Sequence, residues 1–285
     1  MKHRPPRNFL GIKPPYSEYG TSRFVVIPVP YEATTTYGKG TRNGPPAVIK
    51  ASAHVEMYDH ELDNEPYKAG IHTHQPLRVN FKNCHDRISS AVKKVLHDGK
   101  IPVVLGGEHS VTVPAVSACK KKHKNVSVLS FDAHSDLRDE YYGSKFNHAC
   151  VMRRVLDICP AVQVGVRAMS AEERDFAKKT GQWNKIHFSE KLELVENIVA
   201  QLSEDVYITF DVDALDPSIM PSTGTPEPGG LDYYEVLDIV KGLAQKKNIV
   251  GFDVTELSPI KGLVFPDFVA AKLIYKFIGY ISAKY

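Results

Sequence analysis

The chain has 285 residues, 42% of them hydrophobic and 24% charged, with a formal net charge of +3. That length suits one large α/β unit, and a single domain over residues 1–285 is expected. No window approaches the ~20 apolar residues of a membrane span, and so mild a charge gives no reason to expect nucleic acid as a partner.

The N-terminal run MKHRPPRNFLGIKPPY starts basic but lacks the apolar core of a secretory signal. Cys84, Cys119, Cys150 and Cys159 form no CxxC pair and no zinc-finger spacing, which suits reduced thiols. A cytoplasmic location is therefore expected.

Along the chain, apolar runs that suit buried parallel strands fall at residues 24–29, 102–107, 126–131, 161–166, 206–212 and 249–254. Amphipathic helices are expected between them. In HDRISSAVKKVLHDG, Ile88, Ala91, Val92, Val95 and Leu96 make one stripe and Gly99 a stop. The basic run CKKKHK at 119–124 closes another helix, where lysines suit the dipole. Ser170 and Glu173 stand at capping-box spacing ahead of a helix ending near Gly181. Further helices follow Asp232 and begin near Pro266. Strands alternating with helices predict a three-layer α/β/α arrangement with a mostly parallel sheet.

Chemistry-bearing residues follow four of these strands, as GGEHS, SFDAHSD, DVDALDP and DVTELSP, where open parallel sheets gather their ligands. In SFDAHSD, Asp132, His134 and Asp136 alternate, so a continuing strand would aim all three to one face. Asp211 and Asp213 repeat the spacing. With His109 these make two imidazoles and four carboxylates, a donor set suited to divalent ions such as manganese. Six ligands suit two ions ~3.5–4 Å apart better than one. TYGKGTRNG lacks the order of a phosphate loop and reads as an active-site loop, while His72 and His74, without a third donor nearby, read as exposed histidines.

The runs LGGEHSVTVPAVSA, VLSFDAHSD, DVDALDP and TGTPEPGGL, with PYEATTTYGKGTRNGPPAVIKAS near the start, resemble the signature segments of the ureohydrolases, the family of arginase and agmatinase. The resemblance implies an arginase-like fold, two Mn2+ per subunit and homo-oligomers built as trimers or hexamers. By motif, it implies that His109 and Asp136 hold one ion, His134 and Asp213 the other, and that Asp132 and Asp211 bridge them. A water between two dications ionises near neutral pH and attacks the guanidinium carbon, with Asp136 orienting it. Glu256 matches the residue that grips the guanidinium, and His148 the histidine that carries protons to the leaving amine.

Arginases keep an asparagine two residues after the last ligand of DxHxD, whereas this chain has Arg138. The segment DLRDEYYGSKFNHA is more similar to agmatinases of archaeal and bacterial type. The expectation is hydrolysis of agmatine to putrescine and urea in polyamine biosynthesis, with Asp139 and Glu140 meeting the distal amine. Alternatives are aminopropylagmatine, guanidinobutyrate, formiminoglutamate or arginine as substrate. Amide deacetylation on the same fold, or an inactive metal-bound scaffold, are the readings outside this class.

Overall fold

The computed structural model describes residues 8–283; residues 1–7 of the N-terminal run and residues 284–285 of the expected domain lie outside them. The strands are β1 (Phe24–Val29), β2 (Ile71–Thr73), β3 (Ile101–Gly106), β4 (Ser127–Phe131), β5 (Ala161–Val166), β6 (Ile186–Phe188), β7 (Asp205–Asp211) and β8 (Asn248–Thr255). The helices are α1 (Gly44–Ser52), α2 (Cys84–His97), α3 (Thr112–Lys122), α4 (Val151–Leu156), α5 (Ala171–Thr180), α6 (Val195–Ala200), α7 (Tyr233–Lys246) and α8 (Phe265–Ser282).

All eight strands pair in parallel, in the order β2-β1-β3-β8-β7-β4-β5-β6. Their inner residues are mostly apolar on both faces because helices cover both. One core packs α1, α6, α7 and α8 against residues such as Val26, Phe131 and Phe252. The other packs α2, α3, α4 and α5 against residues such as Val25, Val104 and Tyr207. This is the three-layer arrangement the alternating pattern predicts.

Local signals act where the sequence carries them. In α2, Ile88, Val92, Val95 and Leu96 are buried, and Gly99 follows at φ 74°, a left-handed turn that glycine adopts without strain. The expected capping box of Ser170 with Glu173 forms ahead of α5, and a second, of Asp232 with Glu235, precedes α7. The four cysteines are free and buried. Among the described residues no helix is long and apolar enough to cross a membrane.

A candidate binuclear metal centre

The four central strands, β3, β8, β7 and β4, deliver the chemistry-bearing loops to one edge of the sheet. The pleat alone does not aim the donors. Strand β4 stops at Phe131, so Asp132, His134 and Asp136 lie beyond it. The segment stays extended past that point, with Asp132 N–H donating to Val164 O at 3.1 Å and a bridge between His134 and Ala168. It then bends at Asp136, whose φ is 50°. Likewise Asp211 ends β7 while Asp213 sits in a tight 3-10 turn, Val212–Ala214. Convergence thus comes from loop geometry that continues the strands, and a side chain held at positive φ marks a position where the surroundings override local preference.

Three aspartates divide their oxygens in the same way. His134 N–H donates to Asp132 Oδ1 at 2.6 Å, Asp213 N–H to Asp211 Oδ1 at 2.9 Å, and Ala133 N–H to Asp213 Oδ1 at 3.0 Å. One oxygen of each is anchored by backbone, which leaves Oδ2 for the cluster. His109 Nδ1 lies 3.2 Å from Asp132 Oδ2, 3.2 Å from Asp136 Oδ2 and 3.4 Å from Asp211 Oδ2. His134 Nδ1 lies 3.0 Å from Asp213 Oδ2 and 3.5 Å from Asp132 Oδ1. Donor atoms of His109, Asp132 and Asp211 fall within 4.8 Å of one another, as do those of Asp132, His134 and Asp213, so Asp132 belongs to both groups.

Two observations test whether cations fit. His109 Nδ1 and Asp132 Oδ2 are fully buried without a hydrogen-bonding partner of good geometry, although they face each other. Buried polar atoms are rarely left so, and a shared cation would satisfy both. Electrostatics points the same way. Burial alone would push His109 down, but the nearby carboxylates of Asp132 and Asp136 hold it well above the usual imidazole range. For His134, burial is likewise outweighed, chiefly by the charge of Asp213, and its pKa rises to about 12. Asp136 is pushed up to about 7 by burial and by Asp132, and Asp211 is raised well above the carboxylate range by burial and by Asp213. Protons occupy the imidazoles and some carboxylates because the cluster lacks positive charge, which divalent ions would supply.

His109 is oriented by a buried chain that the sequence motifs did not reveal. Thr209 Oγ1–H donates to Asp253 Oδ1 at 2.7 Å, so this hydroxyl accepts from His109 Nε2–H at 2.9 Å. Tyr207 O–H donates to Asp253 Oδ2 at 2.8 Å. With one proton held on Nε2 by Thr209, loss of the second leaves the Nδ1 lone pair facing the cluster, the tautomer a ligand needs. The only sequence signal was alternation in β7 and β8: polar Thr209 and Asp253 within apolar strands.

Glu256, at φ 64°, accepts His109 N–H at Oε1 (2.6 Å), and burial raises it well above the carboxylate range. His148 Nδ1 stands 3.8 Å from the same oxygen, and burial lowers His148 to about 4. Over the site lies the early loop. Buried Glu108 accepts Ala33 N–H, Thr34 N–H and Thr34 Oγ1–H at 2.5–2.6 Å, and Thr34 Oγ1 in turn accepts His148 N–H at 3.0 Å. Thr36 Oγ1 is 3.4 Å from His148 Nε2, so TYGKGTRNG begins beside the site as an active-site loop should. Gly107 permits this closeness, since a Cβ there would fall 1.9 Å from Tyr31 O.

The resulting cavity holds about 320 Å³ and is lined by Asp132, His134, Asp136, Asp211, Asp213, His148 and Glu256 together with Arg138, Tyr141 and Glu173. His109 lies beneath it. Asp139 and Glu140, expected to meet the distal amine, do not line it. Asp139 is occupied instead by Arg154 at 2.6 Å, with Lys145 and Arg153 at 3.6 and 3.9 Å. A carboxylate so neutralised has little left for an incoming ammonium. His72 and His74 bind backbone carbonyls, of Ser17 and Gln75, apart from this centre.

The parallel sheet and the paired donor groups together define an α/β protein with a site suited to divalent cations. The chain belongs to the arginase family, whose family model matches residues 22–279. It is 38% identical to an N(1)-aminopropylagmatine ureohydrolase of Synechocystis sp., over 96% of this chain and 94% of that protein. It is 41% identical to a protein of the same name from Thermus thermophilus, over 93% and 91%. Its structure is similar to the agmatine ureohydrolase of Thermoplasma volcanium, at a TM-score of 0.82 and 33% identity, covering 93% of this chain and 92% of that one.

Proposed function

We propose that this enzyme releases urea from the guanidino end of agmatine or of its N(1)-aminopropyl derivative, leaving putrescine or spermidine, a step of polyamine biosynthesis in the cytoplasm. The observation that carries the reading is the Oδ2 array around His109 Nδ1 and His134 Nδ1, with Glu256 and His148 on the same cavity wall. The sequence segment after DxHxD suggests agmatine, whereas the names of the Synechocystis and Thermus relatives favour the aminopropyl compound.

In this reading His109 and Asp136 would hold one ion and His134 and Asp213 the other, with Asp132 and Asp211 shared between them. Manganese suits the oxygen- and imidazole-rich donors, and thiolates are absent from the set. Two such ions supply Lewis acidity and a water of lowered pKa. Glu256 accepts guanidinium N–H groups, which fixes the planar carbon facing the cations. Asp136 accepts a hydrogen bond from the attacking water and so sets its direction. His148, kept neutral by burial, carries a proton towards the departing nitrogen, which leaves as an amine. Residues 1–285 act as one domain, and the chain assembles into trimers or hexamers.

The test is urea release by the manganese-loaded protein from agmatine, N(1)-aminopropylagmatine, 4-guanidinobutyrate and arginine. The two amine substrates should be turned over with the highest kcat/KM. Preference for arginine, or no urea from any of them, would contradict the reading.

A further inference from the structure

The substrates of the proposed function carry, besides the guanidinium, an ammonium group on a flexible tail, and the following rests on that reading. A charge of that kind needs a carboxylate within reach of the cavity; those that line it are committed, and Asp216 and Glu227 stand just outside the lining. Asp132, Asp136, Asp211 and Asp213 form the metal cluster, and Glu256 faces the guanidinium. Glu173 bonds Ser135, Leu137 and Ser170 as part of a helix cap. Asp216 bonds the amides of Ser218, Gly229 and Gly230.

Glu227 differs from all of these. Its carboxylate makes no hydrogen bond among the described residues, and its one close charged neighbour is His134 Nε2, in the cavity wall, at 3.9 Å. The side chain is 41% exposed, wet enough to admit and release a tail. Its backbone, by contrast, is held firmly. Pro226 and Pro228 flank it, and its carbonyl accepts both Arg167 Nε–H at 3.2 Å and Nη2–H at 2.8 Å. The same guanidinium donates to Asp213 O at 2.7 Å, so the position of Glu227 is registered to the ligand loop itself. Thr225, two residues earlier, lines the cavity. A free carboxylate on a stiff backbone, beside the metal cluster but outside it, is what selection of a tail ammonium requires.

We propose that Glu227 is a specificity-determining residue that receives the ammonium group of the substrate's tail. Arg138, which lines the same cavity with its guanidinium over Tyr141, offers the opposite charge and makes the alternative explicit: a carboxylate tail.

The experiment compares the wild-type enzyme, Glu227→Gln and Glu227→Ala, each manganese-loaded, on agmatine, N(1)-aminopropylagmatine, 4-guanidinobutyrate and n-pentylguanidine, the last matching agmatine in length without its amine. Metal content and thermal melting of each variant are measured alongside. The half-exposed contact predicts that kcat/KM on the amine substrates falls about 3- to 30-fold, mostly through KM, while n-pentylguanidine is affected less than about 2-fold. Equal losses on amine and amine-free substrates would overturn the proposal, as would losses that track metal content and so assign Glu227 to holding His134. Wild-type preference for guanidinobutyrate would overturn it in favour of Arg138. Absence of urea from every substrate with wild-type enzyme would refute the proposed function itself, and this inference with it.

Discussion

Replacing Thr209 by Val keeps the shape of a β-branched strand residue and removes only the hydroxyl that joins His109 to Asp253. Three bonds are lost, at 2.9 Å to His109 Nε2, at 2.7 Å to Asp253 Oδ1 and at 3.0 Å to Thr112 Oγ1. His109 and Asp253 are almost wholly buried, at 1% and 0% exposure, so water does not replace what is removed. Leaving a buried donor unpaired costs about 1–3 kcal/mol, and freeing the imidazole to rotate or change tautomer weakens its metal bond. Loss of such an orienting partner typically lowers metal affinity 10- to 100-fold, equivalent to about 1.4–2.7 kcal/mol. Chelator-competition titration of Mn2+ against wild type, Thr209→Val and Thr209→Ser measures this directly. We expect the loss in the valine variant and near-complete recovery with serine, which restores the hydroxyl. Unchanged affinity in Thr209→Val, with the fold intact by circular dichroism, would refute the reasoning.

Other consequences follow from the same contacts. In the metal-free protein both cluster imidazoles hold protons, His134 to about 12, and metal must displace them. Apparent affinity should therefore rise with pH across 6–9, by about 100-fold per unit from the two imidazole protons alone and more steeply where the Asp211 proton also leaves, and calorimetry in buffers of different ionisation enthalpy should record the release. A flat profile would contradict the charge account. Gly107→Ala puts a methyl group 1.9 Å from Tyr31 O, so the early loop must move. A stability loss of about 1–3 kcal/mol or more in urea denaturation is expected, with a rise in KM because Thr34 and Thr36 shift away from His148; a wild-type denaturation midpoint would show the contact to be soft. Apart from the metal ligands, Lys276, 4% exposed, bonds Asp59 at 2.9 Å and Glu61 at 2.6 Å. Lys276→Met should cost about 3–5 kcal/mol by leaving Asp59 buried and unpaired, with metal affinity unaffected, and a loss below about 1 kcal/mol would show that Asp59 finds water.

How far these features are legible in the sequence depends on the range of the forces that set them. Strands β1 and β5 are located to the residue by their apolar runs, because burial on both faces leaves a near-continuous hydrophobic signature, interrupted in β5 by Gln163 and Gly165. Edge strands β2 and β6 escape notice, since three residues such as Ile71–Thr73 and Ile186–Phe188 carry too little periodicity to stand out. The metal donors are legible as a set of residue types, yet alternation in SFDAHSD suggests a continuing pleat where the chain leaves the strand and turns at Asp136. Such a turn is stabilised by tertiary contacts, among them Arg153 N–H donating to Asp136 O at 3.0 Å. Asp139 illustrates the same limit. Its charge is plain in the sequence, but its neutralisation by Arg154, fifteen positions away on α4, is visible only once helix and loop are packed together.

Under the proposed function, two divalent ions held by these six side chains enable urea release from a guanidino amine. Metal-stripped protein titrated with Mn2+ while urea release from agmatine and N(1)-aminopropylagmatine is followed tests it most directly. Activity should rise to a plateau at two equivalents per chain. A plateau at one equivalent, or turnover without added metal in the presence of a strong chelator, would contradict it.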